Sequence, residues 1–449
     1  MDKLIYFSLT ILLLAIPARA RAQQAVEDAQ TRQTQSIDSD DSLEDELDRL
    51  EAEVNQDASE PVEPASALAA AASGAGGAIQ SMNPNISFIL DTTFAWLSDP
   101  DSVDLRGGHD PQQAGFNLPG LELAVSAAID PYFRFDSAVL FSLFGVEIEE
   151  AYGTTLALPA QLQMRFGQYK TEFGRLNPTH MHSWAFVTQP LVNAKFFGGE
   201  SLRGLGVELS QMVLWMPGTF QWTVSAQNVV GEATGRSFVP TNDQVQDLLD
   251  LTLTARAEEF VALSNNLDLL IGASYAVGKN KSGRDNITEI YGTDLYLKWN
   301  SRTSGGRSQV GWQTEAMVRR RQIPNGVLED FGMYSRIRWR PGRFWGAGLR
   351  YEYVSGVDPT GEDSSLLGGS LLGDSGPVGV VDPLDPDWTE ARQRGAVQAS
   401  YYPSHFSRLR LQYSLDYLPF REGSDLDELN HMIFLQADLV SGAHGAHGY

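Results

Sequence analysis

The fold that this sequence predicts is a transmembrane antiparallel β-barrel of about sixteen strands. Three observations predict it. An export signal is followed by no apolar run long enough for a helical span. Period-two alternation runs through stretches longer than soluble strands. The links between those stretches sort into long and short on opposite sides.

The export signal comes first. Lys3 supplies a positive start and 4–16 is a short apolar run. Ala18-Arg19-Ala20 and Ala20-Arg21-Ala22 both fit a small-x-small cleavage pattern, so 1–22 reads as a secretory signal peptide. The apolar run falls short of the ~20 residues of a spanning helix. No later stretch reaches 18 apolar residues, so helical spans are not expected. The 449 residues include no Cys, which excludes disulfide frameworks, thiolate metal sites and cysteine nucleophiles. A mean hydropathy of -0.22 suits a barrel, where only every second strand residue is apolar.

Residues 23–82 form an acidic tail without strand pattern. Fourteen acidic residues against two Arg give it -12 of the net -24, the signal carries +2, and -14 remains for the rest. Within it Leu43, Leu47, Leu50 and Val54 fall on one helical seam behind a possible cap at Ser42. Two heptads are too few for a coiled coil alone, so a solvated acidic helix is the plainer reading. A barrel that already forms a homotrimer would raise the local concentration and help the seam pair. The Ala/Ser/Gly-rich stretch 65–77 reads as a linker.

From 83 to 449 the period changes to two. In 407–418, Leu409, Leu411, Tyr413, Leu415 and Tyr417 fall on one face, and Arg408, Arg410, Gln412, Ser414 and Asp416 on the other. Sixteen such runs are expected: 86–97, 116–129, 131–144, 146–157, 160–170, 202–215, 219–229, 249–262, 266–278, 287–299, 307–321, 328–340, 343–356, 388–402, 405–418 and 431–443. Many exceed the ~5–6 residues of a typical strand and match the ~9–11 of a tilted membrane strand. The long links 98–115, 171–201, 230–248, 357–387 and 419–430 all follow odd strands. Tight turns such as Asp130-Pro131 and Met216-Pro217-Gly218 follow even ones, the exceptions being short outer links at 145 and 322–327 and a longish inner link near 300–306. That sorting is what long outer loops and short periplasmic turns produce. Outward Trp299, Trp339, Trp345, Tyr351, Tyr401 and Tyr413 fit aromatic girdles.

Four stretches carry a family resemblance: GVEIEEAY at 145–152, FGQYKTEFGRLN at 166–177, FFGGESLRGLGVEL at 196–209 and GAHGAH at 442–447. On these the chain is similar to the phosphate-selective porin O and P-like group, and looks closer still to outer-membrane proteins labelled zinc-regulated TonB-dependent receptors. The resemblance implies a barrel in the outer membrane, with lipid, lipopolysaccharide and the barrel-assembly machinery as partners. TonB-dependent receptors look like barrels of about 22 strands with a folded plug. The about 365 residues from 85 onward suit about sixteen.

A sixteen-strand barrel leaves an aqueous channel, so inward charge sets selectivity. Arg319, Arg321, Arg336, Arg338, Arg340, Arg350, Arg392, Arg394, Arg408 and Arg410 have inward parity on strands 11 to 15. Acidic residues of inward parity elsewhere include Glu122, Glu147, Glu149, Glu208, Asp268 and Asp294. Guanidiniums bind carboxylate or phosphate with paired hydrogen bonds, which raises anion passage as a hypothesis. The competing reading is that the Arg pair with Glu315, Glu352 and Glu390 and stiffen the wall. The link 171–201 carries Phe173, Trp184, Phe186, Phe196 and Phe197, more apolar area than an exposed loop usually holds. It is expected to pack inside and narrow the channel, with Lys170, Arg175, His180, His182, Lys195 and Arg203 at the constriction. By resemblance to general porins it is the constriction loop, and the barrel a trimer.

The expected function is passive diffusion of small hydrophilic solutes, anions among them. The alternative is a substrate or metal (zinc) uptake receptor with an occluded lumen. No cofactor is expected. His180 and His182, and His444 and His447, are weak metal candidates, because no carboxylate lies close to either pair in sequence. No enzyme is expected: His405 and Ser407 share a face but carry no nucleophile signature. No phosphate-binding Gly loop precedes a helix, and the acidic balance argues against nucleic acid.

Overall fold

The computed structural model describes residues 84–99, 107–143, 145–216, 218–229, 231–239, 245–301, 308–324, 326–360, 384–385, 388, 391–418 and 428–442. The chain divides into two units, Met1–Ser81 and Met82–Tyr449. The first lies outside the described residues, and with it the expected signal peptide, seam and linker. His444, His447 and Glu390 lie outside them too.

The second unit is a closed transmembrane barrel of sixteen long antiparallel strands. They are β1 (Asn85–Leu97), β2 (Gly115–Ala128), β3 (Phe133–Ser142), β4 (Gly145–Thr155), β5 (Leu162–Lys170), β6 (Arg203–Val213), β7 (Thr219–Asn228), β8 (Thr252–Ser264), β9 (Leu267–Lys279), β10 (Ile287–Asn300), β11 (Gln309–Ile323), β12 (Gly326–Arg340), β13 (Trp345–Val354), β15 (Arg392–Ser404), β16 (Ser407–Leu418) and β17 (Glu428–Gly442). The three-residue β14 (Asp358–Thr360) only extends the sheet beside the outer end of β12. Each long strand pairs with its sequence neighbours, and β17 closes on β1 from Ser87↔Gly442 to Leu97↔Met432. Every expected strand is present, with ends displaced by at most four residues.

Alternation is what the closure exploits. On β16, Leu411 is 53% exposed while Arg410, Gln412 and Ser414 beside it are buried. The same division puts Trp96, Phe166, Trp312, Trp339 and Leu349 on the outer surface. Such a belt has no place in water and fits the hydrocarbon of an outer membrane. Among the described residues no helix is long and apolar enough to cross a membrane. The long links all fall at one end, the outer end, where only the β3–β4, β9–β10 and β11–β12 links are short; the links at the other end are short turns apart from 301–308.

Two local departures position the site. A bulge between β3 and β4 lets Ala138 face Glu150 and Val139 face Ile148, leaving Glu149 unpaired. Parity therefore slips by one, and the adjacent Glu149 and Glu150 are both buried inward while Ile148 faces out. Parity counted along the sequence would aim Glu150 at lipid; the bulge corrects that. Next, β4 pairs with β5 over only four residues, Ala151↔Gln168 to Thr154↔Arg165. Above them side chains bridge the splayed strands: Lys170 N–H donates to Glu150 Oε1 at 2.8 Å, and Gln168 and Arg203 donate to the Ile148 carbonyl.

Candidate functional site

The link between β5 and β6 turns into the barrel rather than out from it. It carries a short helix, α1 (Leu191–Phe197), all seven residues of which are buried. Phe173, Leu176, Trp184, Val192, Phe196 and Phe197 form one apolar cluster with inward side chains of the wall, among them Ala276, Ile290, Met317 and Tyr334. Burying each Phe favours this position by roughly 1.5–3 kcal/mol over water. The wall makes room for them. A Cβ at Gly292 would stand 2.6 Å from Phe173 Cε1, and one at Gly332 would stand 2.5 Å from Val192 Cγ2.

A buried loop must satisfy its backbone, and here the wall does so. Gly174 N–H donates to Ser274 Oγ at 3.0 Å, Val187 N–H to Gln412 Oε1 at 2.7 Å, and Leu191 N–H to Glu352 Oε2 at 2.6 Å. Guanidiniums cap its carbonyls: Arg350 reaches Thr188 O at 2.7 Å, Arg410 reaches Trp184 O at 2.7 Å, and Arg408 reaches His182 O at 2.7 Å.

The Arg singled out by parity fall into two groups. The larger group is paired and largely buried. Arg319 binds Asp330 at 2.6 Å and Asp385 at 3.3 Å, and Arg321 lies 3.8 Å from Asp330. Lys195 of α1 joins them, 3.1 Å from Asp330 with its ammonium also on Ser355 O. Arg350 pairs with Glu352, Arg392 and Arg394 with Asp416, and Arg408 and Arg410 with Asp438. Of the three expected acidic partners only Glu352 takes an Arg in the described pairs, while Glu315 accepts from Tyr334 and Gln313. The acidic residues are locally matched too. Glu208 meets Arg165 at 2.7 Å, and Asp294 meets Arg256 at 2.6 Å.

The second group lines a vestibule of about 900 Å³ toward the inner end. Arg175, Lys298, Arg336, Arg338 and Arg340 bound it with Tyr296, Gln309 and Gln313, and no carboxylate is among its lining residues. Arg175 stacks over the Tyr296 ring at 4.1 Å, and Arg336 donates to Gln313 Oε1 at 2.6 Å. Asp268 is half-buried on β9, in register across from Lys298.

The constriction candidates separate likewise. Lys195 serves the Asp330 network and Arg175 the vestibule. Lys170, His180, His182 and Arg203 gather toward the outer end with acidic residues from β2, β4 and the β5–β6 loop. His180 Nδ1 lies 2.9 Å from Glu149 Oε2 and 3.6 Å from Glu122 Oε1, and its Nε2 lies 2.8 Å from Glu150 Oε2. His182 Nδ1 lies 2.8 Å from Glu122 Oε2. Lys170 Nζ is 3.5 Å from Glu149, and Arg203 pairs with Glu147. From the β1–β2 link, His109 Nε2 comes within 3.0 Å of Glu149 Oε1 and 2.8 Å of Glu200 Oε2.

Burial opposes charge on His109, but Glu149 and Glu200 outweigh it and push its pKa up to about 10. His180 is likewise pushed up to about 10, with burial and Lys170 opposing and Glu122, Glu150 and Glu149 prevailing. A base whose pKa rises on folding stabilises fully below its ordinary value of 6.5, and that stabilisation is lost as pH rises through 10. In metal-free protein held in a chelator, the thermal midpoint should therefore fall between pH 7 and 10. It should fall less in the His109→Gln/His180→Gln double variant. Parallel curves for the two proteins would refute the assignment.

No family model matches the chain. It is 28% identical over 408 residues to an uncharacterized protein of Aquifex aeolicus, covering 82% of this chain and 80% of that one. Among solved structures, the anion-selective porin from Comamonas acidovorans aligns at a TM-score of 0.49 and 10% identity, over 80% of this chain and 99% of that one. The outer membrane channel DcaP of Acinetobacter baumannii aligns at 0.51 and 13% identity, over 80% of this chain and 97% of that one. The likeness to DcaP shows the fold: this chain is built as a β-barrel of that architecture.

Proposed function

We propose that the chain is a porin-type outer-membrane channel, narrowed by its 171–202 loop, that passes small hydrophilic solutes and favours anions. The observation that carries the charge preference is the inner vestibule, bounded by five cationic side chains and no carboxylate. A solute crossing the barrel beside the loop leaves through that space. Low-dielectric walls lined by one sign of charge concentrate the opposite sign. The paired Arg contribute less, because Asp330, Asp416 and Asp438 neutralise them locally.

The test is single-channel recording of purified full-length protein in a planar bilayer under a salt gradient. Small, discrete steps with an anion-leaning reversal potential are expected. A cation-leaning potential would remove the vestibule as the selective element. No steps from protein shown to be folded would overturn the channel reading and favour a receptor whose lumen stays occluded by the loop.

A further inference from the structure

Three imidazoles, His109, His180 and His182, meet four carboxylates, Glu122, Glu149, Glu150 and Glu200, inside the lumen. We propose that they form a binding site for a divalent first-row transition-metal ion. His180, Glu122 and Glu149 supply one ligand set, and His109, Glu149 and Glu200 the adjoining one. Within each set the three ligand atoms lie within 4.8 Å of one another. Glu149 belongs to both, offering Oε2 to the first and Oε1 to the second. An imidazole with two carboxylates suits borderline divalent ions such as zinc, cobalt or manganese.

Three features separate this cluster from a chance meeting of charges. The first is direction. His109 Nε2 and Glu200 Oε2 are 2.8 Å apart and both buried, yet neither aligns for a hydrogen bond with any partner. Ligands about 2.1 Å from a metal and at right angles to each other stand roughly 3.0 Å apart, with their lone pairs aimed at the ion rather than at one another.

The second is support from outside the ligand sets. The far nitrogen of His180 meets Glu150 Oε2 at 2.8 Å, which fixes the ring as a metal-bound imidazole is usually fixed. His182 holds the second oxygen of Glu122 at 2.8 Å. The β4 bulge is what places Glu149 and Glu150 side by side for these separate duties.

The third is access. Most of the cluster is buried, but the side chains of His180 and Glu200 remain 18% and 13% exposed. The cluster lies where β4 and β5 diverge, and the residues flanking His180 and His182, Thr179 and Ser183, line the vestibule, so an ion has an aqueous space beside it. Because the ligands come from the β1–β2 link, β2, β4 and the β5–β6 loop, a bound ion would also clamp the loop to the wall. This site does not depend on the channel reading, and its test does not use conductance.

The test is cobalt(II) titration of full-length, untagged, chelator-stripped protein, read by visible absorption and by metal analysis after desalting, followed by displacement with zinc. His444→Ala and His447→Ala are built into every sample so that the terminal pair does not contribute. Saturable uptake of at least one equivalent is expected. Glu149→Gln should abolish it, and Glu150→Gln should weaken it by roughly 10- to 100-fold. Glu200→Gln, at the exposed edge, should shift the absorption bands and serves if Glu149→Gln does not fold. Heat-modifiable gel migration establishes folding in each case. Uptake far below one equivalent by folded wild type would overturn the proposal and leave an ion-paired latch. Unchanged bands and affinity in Glu149→Gln or Glu200→Gln would overturn it as well.

Discussion

Asp330→Asn should loosen the loop inside the barrel by about 3–5 kcal/mol, the usual cost of removing one partner from a buried charge network. Asp330 is the shared carboxylate of Lys195, Arg319 and Arg321, and all four side chains are essentially inaccessible to water. The amide keeps the shape and loses the charge. Arg319 keeps Asp385, which already serves Arg236, while Lys195 and Arg321 lose the carboxylate they are paired with. Solvent does not screen the repulsion, because none reaches it. The relief open to the molecule is withdrawal of Lys195, and α1 moves with it. The barrel wall has its own ladder hydrogen bonds and need not unfold. The variant should therefore show larger and noisier conductance, with a lower urea midpoint for hydrogen-exchange protection in 191–197. Wild-type conductance together with wild-type protection would show that α1 is held by its apolar face alone.

The strands were legible because their signal is local. Alternation over a dozen residues needs no knowledge of neighbours, and 407–418 could be read from Leu409, Leu411 and Tyr413 alone. The loop was legible for a related reason, since Phe196 and Phe197 have to be buried somewhere. What the sequence does not display is pairing across the barrel. Asp330, Asp416 and Asp438 meet their arginines through strand register, and Arg165 meets Glu208 in the same way, while Arg256 reaches Asp294 across the intervening β9. The His–Glu cluster was hidden more deeply. Its members are dispersed from His109 to Glu200, and Glu150 carries the wrong parity until the bulge is known. The adjacency of Glu149 and Glu150 after an outward Ile148 was the available sign, since two neighbouring carboxylates on a membrane strand have to be explained by more than alternation.

Neutralising the vestibule should remove most of the charge selectivity. Arg336→Gln, Arg338→Gln and Arg340→Gln together take away three of its five cations. These side chains are half-buried near the inner end of β12, and Gln retains hydrogen-bonding capacity toward Gln313 and the strand-end backbone. The stability cost should therefore stay small beside that of Asp330→Asn. The reversal potential under a salt gradient is expected to fall toward the value of an unselective pore, while conductance in symmetric salt changes less. Ionic strength supplies an internal check. The Debye length shrinks from ~10 Å at 0.1 M salt to ~3 Å at 1 M. Wild-type anion preference should accordingly weaken at high salt, and the triple variant should show little further change. A triple variant with the wild-type reversal potential would move the selective element away from the vestibule, to the paired charges of Arg350, Arg394 and Arg410 along the loop. In that event the local neutralisation by Glu352, Asp416 and Asp438 would have to be incomplete in the conducting state.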